Sequence, residues 1–387
     1  MDWTDSFRRF AAAETLPLLQ ALVAGASVNP PGREDLAARP LADFLFRHGL
    51  EPQWQQTEPG RPNLLAAATG SAPGRTLALC SHLDVVPPGD PAGWTGDPFG
   101  PRWEDGRLYG RGACDAKGAL AAMAVAVAFW ARHGLARGRL FLTAVCGEER
   151  GGTGAKYLVA SGFRADGVII GEPTGLRVQL GHKGRLQLTV RIVGRGGHAS
   201  QPDAAANPID GLSAVLERLH LLSGAVRTRR HALVGTASLT ATQVSSGDTN
   251  AATIPQLVTV VLDRRLLPGE THEEAASEVL AALHGQPNVE VEWFLGAHPF
   301  LQGADDPMVD SCVAGLVAAQ GSASTPGGFP ATCDQYVFGL AGMPTVILGP
   351  GDLVANRTHA ANEFIDLAEV ETAALAYAAA ARAFLED

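Results

Sequence analysis

Cysteine is scarce in this 387-residue chain, and its five residues, Cys80, Cys114, Cys146, Cys312 and Cys333, lie far apart. No Cys-x-x-Cys pair exists, so thiolate zinc ribbons and thioredoxin-like chemistry are excluded. Such a set reads as small buried residues of a protein kept in a reducing compartment. Charge is also sparse. Only 18% of residues are charged, and the net charge is -10, so nucleic acid and an anionic membrane surface are not expected partners. Long apolar runs are missing too. The longest, Ala119 to Ala131, is short for a bilayer span and predicts a buried helix. The opening MDWTDSFRRF lacks the basic-then-apolar pattern of a signal peptide, so a cytoplasmic protein is expected. The segment GRGACDAKG lacks the Gly-x-Gly-x-x-Gly spacing, and neither a Gly-Lys-Ser/Thr P-loop nor a Gly-x-Ser-x-Gly elbow occurs.

What is present is apolar and long. Hydrophobic residues make up 46% of a chain whose length fits about two domains. Residues 5–26 and 34–48 have helical patterning. Strands are predicted at TLALCS, RLFLTAVC and DGVIIG, with a helix from Ala119 between the first two. This alternation indicates an α/β layer with a mixed, largely parallel sheet. The pattern changes near Gly181. GRLQLTVRIVG alternates polar and apolar residues, which suits an antiparallel strand with one wet face. A helix at 208–222, the strands ASLTATQVSS and QLVTVVLDRRL, a helix at 271–283 and the strand VEVEWF follow. That β-α-β-β-α-β order predicts a ferredoxin-like α+β domain over residues 181–295, inserted into an α/β domain formed by 1–180 and 296–387. The long strand of the insert is expected to have an open edge.

The predicted α/β strands end in acids and histidine. TLALCS leads to His82 and Asp84, RLFLTAVC to Glu148 and Glu149, DGVIIG to Glu172, and PTVILG onward to His359. Asp115 lies in a glycine-rich turn before a helix. Ligand sites in open α/β sheets lie beyond the carboxyl ends of the strands. So many carboxylates gathered there would repel one another without cations. Two imidazoles with carboxylates and no thiolate form a nitrogen/oxygen donor set suited to Zn, Co or Mn. Taken singly, each residue has a plainer reading. His82 and Asp84 could be a structural pair, Asp115 a helix N-cap, Glu172 a loop acid and His359 a surface histidine. The argument lies in their coincidence.

The segments SHLDVVP, GRGACDAKG, GEERGG, GEPT, GGHASQP, DRRLLPGE and GPGDLVANRTHAANEF follow one another along the chain. In order and spacing they resemble the two-metal aminoacylase/carboxypeptidase family, which includes acetylornithine deacetylase, succinyl-diaminopimelate desuccinylase and glutamate carboxypeptidase. The resemblance implies a hydrolase that cleaves the amide bond of an N-acyl amino acid. A dipeptidase or carboxypeptidase with the same centre is the alternative, and a non-catalytic relative a more distant one. It implies two divalent ions, zinc first, with cobalt or manganese as alternatives. His82 and Glu172 would hold one ion, Glu149 and His359 the other, and Asp115 would bridge them. Asp84 would orient His82, and Glu148 would be the general base acting on the water between the ions. His198 would stabilise the oxyanion, Arg265 would grip the substrate carboxylate, and Asn250 would contact substrate. The inserted domain would serve as a lid and as the interface of a homodimer. Two departures from the family pattern, Ala205 and Cys333, touch the regions of specificity and not the metal ligands.

Overall fold

The computed structural model describes residues 2–247 and 250–386. The chain divides into two compact units, one of residues 1–181, 302–329 and 333–387, the other of 182–301 and 330–332. The boundaries differ slightly from those read in the sequence: residues 296–301 and 330–332 group with the smaller unit.

The larger unit is built on a mixed sheet. Its strands run in the order Gln53–Glu58, Arg61–Thr69, Arg137–Val145, Ala72–His82, Gly167–Ile170, Thr345–Ile347, Gln179–His182. Ala72–His82 is parallel to both of its neighbours, and Thr345–Ile347 is parallel to Gly167–Ile170. Gly167–Ile170 and Thr345–Ile347 are buried throughout and Ala72–His82 is buried from Leu77 on, because both faces are covered there. The hairpin Gln53–Glu58/Arg61–Thr69 was not legible in the sequence. Its outer strand, QWQQTE, has no buried residue and lies at the sheet edge, so no apolar alternation marks it.

Helix Gly118–His133 runs through the core, and its residues 118–130 are all buried. With the preceding turn it forms the stretch 113–133, the one helix among the described residues long and apolar enough to cross a membrane; residues 113–130 of it are buried within the fold. Helices Trp3–Ala24, Pro307–Gln320 and Leu367–Glu386 add to the same apolar cluster. Frequent alanine on Gly118–His133 and Leu367–Glu386, seven of 16 and nine of 20 residues, keeps many side chains small where these helices contribute to the core.

The smaller unit is a four-stranded antiparallel sheet in the order Ser238–Ser245, Leu257–Leu266, Gly184–Val193, Val289–Leu295. Helices Pro208–Val226 and His272–Leu283 pack on one face, against Leu186, Leu188, Val190, Val258, Val260 and Leu262. The second helix starts with a capping box, in which Thr271 and Glu274 satisfy each other's backbone N–H groups. The alternation in GRLQLTVRIVG is borne out in burial, but the expected open edge is not. Gly184–Val193 is paired on both sides, and the free edges belong to Ser238–Ser245 and Val289–Leu295. Period-2 patterning reports which face of a strand is wet and carries no information about its place in the sheet.

Candidate metal centre

Parallel pairing brings the strand ends of the larger unit together. His82 is the last residue of Ala72–His82 and lies opposite Val145, the last residue of Arg137–Val145. Glu148 and Glu149 follow three and four residues on, in a tight turn. Gly147 has φ 75° and Gly152 φ 72°, and a Cβ on Gly152 would lie 2.2 Å from Asp334 Oδ1. Only glycine suits both the conformation and the space there. Glu172 leaves the end of Gly167–Ile170, and Asp115 lies in the irregular turn before Gly118–His133. His359 sits in the loop after Thr345–Ile347 with φ 60°, a left-handed conformation uncommon outside glycine.

Two donor groups result: His82, Asp115 and Glu172, and Asp115, Glu149 and His359. Asp115 belongs to both. His82 Nε2 lies 3.2 Å from Asp115 Oδ1 and 3.9 Å from Glu172 Oε1. His359 Nε2 lies 3.3 Å from Asp115 Oδ2 and 3.1 Å from Glu149 Oε1. The two oxygens of Asp115 thus face different histidines. A tetrahedral ion with ligand bonds of 2.0–2.2 Å separates its donors by about 3.3–3.6 Å, so this spacing fits a divalent cation.

The ring chemistry points the same way. His82 Nδ1 lies 2.9 Å from the Asp84 backbone carbonyl and donates to it, which leaves a lone pair on Nε2 in the neutral ring. That lone pair faces carboxylate oxygens, acceptor against acceptor, which a cation between them resolves. Burial pushes the Glu172 carboxyl well above the usual range, and Glu149 also rises through burial although His359 opposes it. Burial alone would raise Asp115, but hydrogen bonds with His359 and His82 outweigh it and hold the carboxyl low. His359 is lifted to about 10 by Asp115 and Glu149. Glu148 is raised well above the ordinary value by burial and then by Glu172.

The expectation for Asp84 needs correcting in detail. Its carbonyl, not its carboxylate, makes the short bond to His82; Oδ1 is 3.6 Å away, beyond hydrogen-bond range. The carboxylate instead accepts from the backbone N–H of Glu148 at 3.1 Å, the N–H of Glu149 at 3.2 Å and Asn29 Nδ2 at 2.8 Å. Asp84 therefore fixes the backbone of both glutamates. Asp84→Ala is expected to orphan these donors and to cost roughly 1.5–3 kcal/mol, read as a lower urea midpoint. An unchanged midpoint would remove that structural role.

The other predicted residues lie in the smaller unit. His198 is exposed, and its Nδ1 accepts from the Ser200 backbone N–H at 3.1 Å, so the neutral ring carries its proton on Nε2. Arg265 is held by Asp263 through Nε at 2.7 Å, and Nη1 reaches Thr332 at 3.3 Å. Asn250 Oδ1 accepts from the Ala252 N–H, and its carbonyl accepts from Thr253, whose strand pairs with His198. Sequence reading passed over Arg111 and Glu363. Both lie in quoted segments, GRGACDAKG and THAANEF, but neither type at those positions signals a buried pair.

Comparison with known proteins identifies the family. A family model for peptidase family M20/M25/M40 matches residues 78–383. The acetylornithine deacetylase of Proteus mirabilis (strain HI4320) is 32% identical over 344 residues, 86% of this chain and 85% of that protein. The succinyl-diaminopimelate desuccinylase of Methylorubrum extorquens (strain PA1) is 33% identical over 357 residues, 84% of this chain and 91% of that protein. Among solved structures, an M20 family metallo-carboxypeptidase from Sulfolobus solfataricus superposes with a TM-score of 0.82 at 20% identity, covering 96% of this chain and 99% of that one. The chain belongs to peptidase family M20/M25/M40 and is a metallohydrolase acting on amide or peptide bonds.

Proposed function

We propose that this protein hydrolyses the amide bond of an N-acyl amino acid, releasing a carboxylic acid and a free amine. The observation that carries the reading is Asp115 placed with one oxygen toward His82 and the other toward His359, with Glu148 in the turn after the strand that pairs with His82. The relatives named deacetylase and desuccinylase support the substrate class.

In this reading His82 and Glu172 hold one divalent ion and Glu149 and His359 the other, with Asp115 shared. Zinc is the first choice for a nitrogen/oxygen donor set, with cobalt and manganese as alternatives. Bound ions polarise the scissile carbonyl and make water acidic near neutral pH. Glu148 accepts the proton of the attacking water on its carboxylate and returns it to the nitrogen of the leaving amine, so one group serves as base and then acid. Burial, and then the nearby Glu172, raise its proton affinity above the ordinary carboxylate value. Asp84 keeps Glu148 and Glu149 in place through their backbone N–H groups. His198 donates from Nε2 to the oxyanion, and Arg265 grips the substrate carboxylate with its fork of N–H groups. Asn250 is a further substrate contact. The smaller unit acts as lid and as the interface of a homodimer. The five cysteines are buried and unpaired, which supports a cytoplasmic location.

The deciding experiment is a turnover screen of N-acyl amino acids against dipeptides, with zinc, cobalt and manganese each supplied. Faster cleavage of dipeptides would replace the deacylase reading with a peptidase built on the same centre. No turnover of either class in any metal would overturn both. His198→Ala is expected to lower kcat by about 10²–10³-fold with metal content unchanged, as for loss of one oxyanion donor. Mixing it with Glu148→Gln chains tests whether the histidine comes from a second subunit. Recovered activity means sharing. No recovery despite verified subunit exchange means that each chain uses its own.

A further inference from the structure

Glu363 and Arg111 lie outside the donor groups, yet both are fully buried next to them. Glu363 Oε1 accepts two backbone N–H groups, those of Cys114 and Asp115, each at 3.0 Å. Its Oε2 accepts from Arg111 Nη1 at 2.6 Å. Side-chain exposure is 0% for Glu363 and 1% for Arg111. The chain around Glu363 is itself fastened. Its carbonyl accepts from the Gly110 N–H, and the next residues, Phe364–Asp366, pair with Arg107–Tyr109. Upstream, Asn356 bonds to Phe364 through both backbone and side chain. Glu363 is thus four residues from His359 by sequence and hydrogen-bonded to the N–H of Asp115. Between Asn356 and Glu363 the loop holds three non-glycine residues in the left-handed region, Arg357, His359 and Asn362, at φ 59–60°. A loop bent in this way needs an anchor at its end.

We infer that the Arg111–Glu363 pair is a positioning clamp: one buried carboxylate ties the turn that carries Asp115 to the loop that carries His359, and so fixes the spacing of donors around the second ion. The inference rests on the two-ion reading of the site. Neither residue touches an ion or substrate; both act through Asp115 and His359. A buried ion pair is weak grounds for a stability role, because apolar replacement of both partners is often neutral. Two N–H groups aimed at one carboxylate oxygen are instead a positional device. The effect belongs to outer partners of metal ligands, whose loss costs about 10–100-fold in metal affinity.

The test measures metal affinity and stoichiometry of the whole chain by titration of chelated, folded protein with Zn(II) or Co(II), together with the visible spectrum of the Co(II) form. Wild type is expected to take up two ions. Glu363→Ala is expected to bind the ion at Asp115, Glu149 and His359 about 10–100-fold more weakly, with an altered Co(II) spectrum. The double variant R111M/E363Q removes both charges and keeps an amide oxygen for the two N–H groups. It is expected to recover most of the affinity lost in Glu363→Ala, which a general loss of stability would not do. If Glu363→Ala does not fold, Glu363→Gln alone is compared with the double variant. Facing Arg111, its amide cannot satisfy both neighbours, so it is expected to bind more weakly than the double. Wild-type affinity in Glu363→Ala, or in Glu363→Gln where that is the variant read, would overturn the clamp and leave the two-ion site standing. Fewer than two ions in wild type, with His82→Ala and His359→Ala binding no worse, would overturn the site and the clamp with it.

Discussion

Replacing Glu148 with glutamine is expected to leave the metal content unchanged and to lower kcat by about 10²–10⁴-fold, the usual worth of a positioned acid–base group. Glutamine keeps the shape and the backbone bond to Asp84 but cannot hold a proton on its side-chain oxygen. Among the described residues Glu148 makes no salt bridge and belongs to neither donor group, while its neighbour Glu149 lies 3.1 Å from His359 and belongs to one. Glu149→Gln is therefore expected to behave differently, with one ion lost or weakly held. Rates and metal analysis on both variants separate the two roles. If Glu148→Gln kept a tenth or more of wild-type kcat, the proton would have another acceptor. If Glu149→Gln kept both ions at wild-type affinity, the partition between the adjacent glutamates would be wrong.

The adjacency of these two glutamates was the most informative feature of the sequence. Parallel strands all point their carboxyl ends the same way, so polar residues just past several apolar runs must converge. His82, Glu149, Glu172 and His359 were legible for that reason, Asp115 only through the family resemblance of its turn, and the structure brings the donor atoms of all five together. What was not legible depends on partner choice, which patterning does not encode. Asp84 was expected to orient His82, and it does meet the ring, but through its carbonyl, while the carboxylate turned to three N–H donors from distant parts of the chain. Glu363 could not be told from a loop acid, because its partners lie about 250 residues earlier. The Gln53–Glu58 strand escaped because it buries nothing. In the smaller unit the element order was readable from period and turns, whereas the place of Gly184–Val193 at the sheet centre was not.

Removing the metal is expected to abolish turnover and to change how stability responds to pH. Each ion bound at a free concentration of 100 Kd adds about 2.7 kcal/mol, so chelation should lower the melting temperature by roughly 3–5 °C per site in a chain of this size. The sign of the pH effect follows from the groups left facing one another. Glu148, Glu149 and Glu172 are raised in the folded chain, chiefly by burial, and Asp334 is pushed to about 7 by the same cause. A carboxyl raised on folding binds more protons folded than unfolded, so its contribution falls as pH rises above the unfolded value near 4. His82 is raised because bonds to neighbouring acids outweigh burial, and His359 is raised to about 10. Their contribution is fully present below about 6.5 and is lost as pH climbs toward the folded value. Asp115 runs the other way, since its lowered value stabilises above the ordinary 3.8, but that term is already complete by pH 5. Between pH 5 and 8 the remaining terms at the centre share one sign, and they outnumber the opposing terms from His48 and Lys117, both lowered by burial. The chelated protein is expected to melt at progressively lower temperature across that window. The loaded protein should hold its melting temperature better, because bound cations offset the carboxylate charge and deprotonated ligands bind them more tightly. Thermal scans at half-unit pH steps, with chelator or with 100 Kd of zinc, read both curves. Parallel curves would mean that the buried acids do not face a cation site, and full turnover from protein shown to be metal-free would end the metallohydrolase reading.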